Sequence, residues 1–346
     1  MSEPEAPTGI HRENVTRWFT EHVASVVPPL NFDLIAGGRS NLTFRVTDSD
    51  GGRWVLRRPP RGKVLATAHD MAREHRIISA LADTDVPVPA THGLCTDESV
   101  NEAPFYVMNH VDGMVLRDAA AAAEVSPDVR RRTGLSIAST LARIHSVDPD
   151  QVGLGDLGRK EGYIERQLKR WNGQFEKSLT REVPVVTEAY GRLSASVPDQ
   201  GAAGIVHGDY RLDNCMIDPS GEVIAVLDWE LCTLGDPAAD LGLLMVYWTE
   251  ADDPFAALPG GATTLEGFPT RAEMVDAYEA AGGRSVEDLA FYTAFGYWKL
   301  ACILEGVYAR YKAGAMGDDG ADADAFGDVV TLLGSASIAA LEEAGR

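Results

Sequence analysis

The chain has 346 residues, 45% of them hydrophobic, with 31 basic and 52 acidic side chains and a net charge of −21. That length allows two lobes with separate cores. The acidic balance argues against nucleic acid or an anionic membrane surface as partner, because such surfaces are bound by Lys and Arg. An anionic small molecule stays open, since a local basic pocket overrides global charge. No run of about 18 apolar residues predicts a membrane span. Met1 to Gly9 is acidic and Pro-containing, without the regions of a signal peptide, so a cytoplasmic location is the default expectation. Cys95, Cys215, Cys232 and Cys302 show no metal-ligand spacing and are expected to be buried free thiols.

In chain order, residues 11–27 read as an amphipathic helix with Val15, Trp18, Phe19, Val23 and Val26 on one face, ended by Pro28-Pro29. Phe32 to Arg58 reads as a strand, a Gly-rich turn and two further strands. Thr67 to Leu81 reads as a helix, and Thr91 to Gly93 and Phe105 to Met108 as short strands. Residues 1–108 are therefore expected to form a small β-rich lobe. Residues 109–113 connect it to a larger, mainly helical lobe, 114–346, in an α+β fold. Breaks are expected at a hairpin in 207–228, at the Pro/Gly-rich stretch 252–269, and at a mobile Gly/Ala/Asp-rich loop, Gly314 to Asp324.

The most specific pattern is His207-Gly208-Asp209-Tyr210-Arg211-Leu212-Asp213-Asn214, followed by an apolar strand, the turn Asp218-Pro219-Ser220-Gly221, a second apolar strand and Asp228. This is what ATP-dependent phosphoryl transfer needs. Asp209 can orient an attacking hydroxyl and accept its proton, while the Asn214 amide oxygen and the Asp228 carboxylate are hard oxygen ligands for Mg²⁺. Both metal ligands then belong to one hairpin. Gly37-Gly38-Arg39-Ser40-Asn41-Leu42-Thr43, between two strands, is either an ordinary turn or a phosphate-covering loop, with glycines that let the backbone approach and Ser40, Asn41 and Thr43 as donors. Asp236-Pro237 reads as a helix start. Asp240, one turn later on an apolar helix, needs donors when buried. The backbone of His207 to Asp209 is the expected supplier, so Asp240 and His207 read as structural support.

The chain resembles the aminoglycoside phosphotransferase-like branch of the protein-kinase-like fold. In particular it resembles the kinase-like domain fused to some acyl-CoA dehydrogenases and its stand-alone bacterial relatives. The likeness rests on Val206 to Asn214, on Val226-Leu227-Asp228-Trp229-Glu230 and on Leu234-Gly235-Asp236-Pro237-Ala238-Ala239-Asp240, and runs from about residue 30 to about residue 315. It implies Asp209 as catalytic base and Asn214 and Asp228 as Mg²⁺ ligands. It assigns the phosphate-covering role to Gly37, Gly38, Ser40, Asn41 and Thr43. It also implies Arg57 in place of the usual phosphate-contacting Lys, with Glu74 as its partner, and an adenine-binding hinge backbone at Asn109 and Val111. In a strand, Arg58 would point to the other face.

Substrate candidates are Arg211, Asp213, Tyr247, Trp248, Trp298, Glu305, Tyr308 and Arg310. Trp298, Glu305 and Tyr308 share one helical face, which is either core or pocket. The expected function is ATP- and Mg²⁺-dependent phosphorylation of a hydroxyl on a small molecule, with GTP as the alternative nucleotide, by a monomer or homodimer. The resemblance suggests a hydroxyacyl-CoA or hydroxy acid as acceptor. The rivals are an aminoglycoside or choline-like kinase and, from another class, a nucleotide-binding pseudoenzyme.

Overall fold

Between residues 31 and 58 the strands alternate side chains between two faces, and this decides where the two arginines at the end of the segment go. The computed structural model describes residues 7–36, 41–60, 70–253, 261–315 and 323–346. The chain forms two units. Met1–Met114 with Ile224–Leu231 make the first, and Val115–Val223 with Cys232–Arg346 make the second. The inclusion of Ile224–Leu231 in the first unit has no counterpart in the sequence reading. It is anchored there by the Val226 amide, which donates to the Pro87 carbonyl at 2.8 Å.

In the first unit, β1 (Asn31–Ala36), β2 (Leu42–Thr47), β3 (Arg53–Arg58), β4 (Thr91–Cys95) and β5 (Phe105–Asn109) form a sheet in the order β1-β2-β3-β5-β4. α1 (Arg12–His22) covers one face, with Phe19, Phe44, Leu56 and Phe105 fully buried in one cluster. α1 is shorter than the periodicity predicts, because Val23 continues as extended chain (φ −111°) while still buried. α2 (Met71–Leu81) starts at the cap Asp70, whose side chain accepts the Arg73 amide at 2.9 Å. The earlier part of the expected helix lies outside the described residues. α3 (Glu98–Asn101) is a single turn.

In the second unit, α4 (Ala119–Ala123), α5 (Pro127–Ser146), α6 (Tyr163–Ser178) and α7 (Pro184–Ala195) come first. β6 (Gly204–Val206) follows and pairs with β9 (Thr233–Gly235). β7 (Cys215–Ile217) leads into a tight turn, where Asp218 Oδ1 accepts the amides of Ser220 and Glu222 and Gly221 takes φ +96°; β8 (Val223–Val226) follows, and from Ile224 on it belongs to the first unit. α8 (Ala238–Tyr247), α9 (Arg271–Ala280), α10 (Leu289–Lys312) and α11 (Ala323–Glu343) complete it. Phe175, Leu193, Phe291 and Trp298 belong to its core. α11 is long and apolar enough to cross a membrane by length and composition, a point the absence of a long apolar run did not anticipate. Its Val330, Leu333 and Leu341 are packed into that same core. All four cysteines are buried free thiols.

Candidate active site

In the first unit the strand alternation separates two neighbouring arginines. Arg58 is buried and donates to the carbonyls of Gly9, Pro59 (3.2 Å) and Asn101 (3.2 Å), so it fastens the N-terminal segment. Arg57, opposite Thr43 on β2 and Tyr106 on β5, turns the other way. Its Nε lies 3.2 Å from Glu74 Oε1 on α2, and its Nη2 donates to Asp228 Oδ1 at 2.6 Å. Glu74 is 2% exposed. Burial pushes its carboxyl up to about 7 even though Arg57 pulls it down. Burial disfavours the Arg57 charge, but Glu74, Tyr106 and Asp228 outweigh that and hold it protonated. Asp228 sits at φ +63°, a left-handed backbone that a non-glycine residue rarely adopts. Its Oδ2 takes no hydrogen bond among the described residues.

Asn41 and Thr43 are buried, and Asn41 Nδ2 donates to Glu230 at 3.3 Å. Gly37, Gly38 and Ser40 lie outside the described residues. Of the two hinge candidates, the Asn109 amide already donates to the Ala90 carbonyl at 2.8 Å. The Val111 backbone makes no hydrogen bond among the described residues.

In the second unit β6 delivers the loop His207 to Asn214. Asp240, in the first turn of α8, accepts the amides of His207 (2.5 Å) and Gly208 (2.9 Å). These are the donors expected of that backbone. His145 Nε2 stands 3.5 Å from Asp240 Oδ2, at ion-pair range, and His145 Nδ1 contacts the Tyr278 hydroxyl at 2.8 Å. Burial works against the Asp240 charge, yet His145, His207 and the Gly208 amide hold its carboxyl below the usual range. α8 begins at Ala238 rather than at Pro237, with Asp236 Oδ1 accepting the Ala238 amide. Leu212–Asn214 is a 3₁₀ turn that runs into β7. That turn brings Asn214 Nδ2 to the Asp209 carbonyl (2.8 Å) and to Asp209 Oδ2 (3.2 Å). With its NH₂ committed there, the Oδ1 of Asn214 accepts no hydrogen bond among the described residues.

Arg211 binds this loop together. Its Nη2 lies 3.0 Å from Asp213 Oδ2, its Nε 3.5 Å from Asp209 Oδ2, and its guanidinium 5.1 Å from the Tyr247 ring centroid. Arg211, Asp213 and Tyr247 also line a cavity of about 280 Å³, whose other walls include Leu244, Trp248, Tyr297, Leu300 and Leu304. Burial, with Asp209 nearby, pushes the Tyr247 hydroxyl up to about 12, so it is a donor at neutral pH.

The other substrate candidates stand elsewhere. Trp298 is fully buried in the core, its Nε1 donating to the Val186 carbonyl at 3.1 Å. Glu305 is fully buried and pairs with Arg181 at 2.9 Å, and Arg181 lies over the Tyr308 ring at 4.6 Å. Arg310 is exposed. None of these four lines the cavity. The face of α10 that does is Tyr297, Leu300 and Leu304, at the same helical spacing but rotated from the stripe chosen in the sequence. Two further residues were missed. Arg117 lines the cavity and carries no sequence signal. Lys299 is a solitary cation in the apolar first part of α10, and that isolation was the available signal.

The His207–Asn214 loop and the small five-stranded sheet are those of a kinase-like small-molecule phosphotransferase. The chain belongs to the phosphotransferase enzyme family, whose model matches residues 32–284. It is 36% identical over 297 residues to acyl-CoA dehydrogenase family member 10 of Mus musculus, covering 85% of this chain but only 27% of that protein. It is 34% identical to a Ralstonia eutropha JMP134 protein provisionally described as an aminoglycoside phosphotransferase. That crystal structure superposes with a TM-score of 0.81 over 96% of this chain and 98% of the other. At 13% identity, the GDP complex of aminoglycoside 2'-phosphotransferase-IIIa shares the fold, with a TM-score of 0.62 over 95% of this chain and 99% of the other.

Proposed function

We propose that the protein transfers the γ-phosphoryl group of ATP to a hydroxyl on a small molecule with an apolar body, a hydroxyacyl-CoA or hydroxy acid. The observation that carries this is the cavity lined by Arg211, whose walls are mainly apolar and aromatic side chains. A polycationic aminoglycoside would leave its ammonium groups unsolvated against such walls. The likeness to a domain of an acyl-CoA dehydrogenase family member points the same way, and the GDP complex of a fold neighbour favours a purine nucleotide.

In this reading Asp209 orients the acceptor hydroxyl and takes its proton, and Arg211 steadies Asp209 through the 3.5 Å contact. Asn214 and Asp228 would hold Mg²⁺, which would supply positive charge against the phosphates. Arg57 offers its guanidinium to the phosphates while Glu74 fixes its direction. Positioning and charge do most of the work, because the transition state needs little covalent help. The test is a Mg·ATP phosphorylation screen over hydroxyacyl-CoAs, free hydroxy acids, aminoglycosides and amino alcohols. Turnover confined to the first two classes supports the reading, and turnover confined to the cationic classes overturns it.

A further inference from the structure

Lys299 lies in the middle of α10, buried among apolar neighbours. Its Nζ donates to the Gly208 carbonyl at 3.1 Å and sits 5.7 Å from the Trp171 ring centroid. Among the described residues no carboxylate forms an ion pair with it. A buried ammonium without a carboxylate partner is costly. Burial pulls its pKa down, and Asp240 and Asp209 only partly restore it. An aliphatic side chain would fill the same place without that cost, so the function of the lysine lies in what it touches.

What it touches is one end of a doubly held residue. Gly208 takes φ +86°, its amide donates to Asp240 Oδ1 on α8 at 2.9 Å, and its carbonyl accepts from Lys299 on α10. That carbonyl belongs to the peptide plane that ends at the Asp209 nitrogen. The Asp209 amide in turn donates to His207 Nδ1 at 3.3 Å. Fixing the plane fixes the direction in which the Asp209 side chain leaves the backbone, since trans peptides are rigid and only φ and ψ remain free. Asp240 holds the Gly208 amide and His207 holds the Asp209 amide, and Lys299 adds a hold on the carbonyl between them.

We propose that Lys299 is a positioning residue for Asp209, clamping the Gly208 peptide from α10 while Asp240 holds it from α8. The proposal rests on the reading of Asp209 as the group that handles the acceptor hydroxyl. The experiment compares wild type, K299M and K299R in two ways. Hydrogen exchange is followed at the Gly208 and Asp209 amides, and kcat and KM are measured for Mg·ATP with the best hydroxyacyl-CoA acceptor. In K299M exchange should quicken at those amides and not in β2 or β3. There kcat should fall roughly 10- to 100-fold, the scale of a small misplacement of a catalytic group, with KM for ATP within about twofold. K299R keeps a cationic donor and should recover most of both. Unchanged exchange at Gly208 and Asp209 in K299M overturns the proposal whatever the turnover. If K299M does not fold, K299Q takes its place, and failure of both to fold overturns it in favour of a purely structural lysine. If the loop loosens as expected but wild type phosphorylates no acceptor, the clamp stands and the assignment of function is what fails.

Discussion

Arg57 Nη2 donates to Asp228 Oδ1 at 2.6 Å, so the strand expected to face phosphates grips a carboxylate expected to face a cation. A single guanidinium thereby serves two acids, since Glu74 takes its Nε side. The second carboxylate oxygen of Asp228 stays available, and the two roles are compatible.

Asp228→Ala should therefore abolish Mg²⁺-dependent nucleotide binding. A carboxylate beside phosphates helps only with a cation between them. Calorimetric titration of ATP with and without Mg²⁺ checks this, and equal affinities for wild type and mutant in Mg²⁺ would count against it.

Asp209→Asn should leave ATP affinity intact and lower kcat by at least roughly 10²-fold, the usual contribution of an orienting base. Asn still fits between Asn214 and Arg211, so the fold should be kept. Near-normal turnover in the purified mutant would refute the role.

Removing Arg57 leaves Glu74 buried without its cation, a change that typically costs roughly 3–5 kcal/mol. Arg57→Ala should raise KM for ATP and lower stability, and Glu74→Ala should do both more mildly. The double mutant should be less than additive, because the pair shares one contact. Additive losses in denaturant unfolding would show that the 3.2 Å pair contributes nothing.

The raised Glu74 carboxyl gives a signed pH effect. Its folded value, about 7, lies above the ordinary 4.5. The stability it contributes is thus fully present below 4.5 and is lost as pH rises through about 7. Relative to Glu74→Gln, wild type should lose stability between those values. A difference in Tm that stays flat across that window would show that Glu74 titrates normally in the fold.

On α10 two substitutions separate cavity from surface. Leu304→Trp fills the cavity and should raise KM for the acceptor without changing KM for ATP. Arg310→Glu, on an exposed position outside the cavity, should leave acceptor affinity unchanged at any salt concentration. A strong effect of Arg310→Glu would restore it to the site.

The sequence made the loop legible because its polar residues stand at fixed spacing between apolar strands. Asp240 was readable for a related reason: a carboxylate inside an apolar helix must find donors, and the nearby backbone has them. The α10 assignment went astray because helical periodicity gives a face but not the direction in which it points. Trp298 and Leu300 are two positions apart and end up in core and cavity respectively. Arg57 to Asp228 was invisible because the contact spans 171 positions and depends on a left-handed residue that no local signal encodes.

The four buried thiols are distributed unevenly between the units: Cys95 in the first, and Cys215, Cys232 and Cys302 in the second. Burial pushes the Cys95 thiol up and the Cys215 thiol up to about 12, so neither forms a reactive thiolate in the folded chain. Alkylation must then wait for local opening. The rate at Cys95 times the breathing of the first unit, and the rates at the other three time that of the second. The native chain thus carries its own pair of clocks, and a mass spectrum of partly alkylated protein would show which unit a bound nucleotide slows.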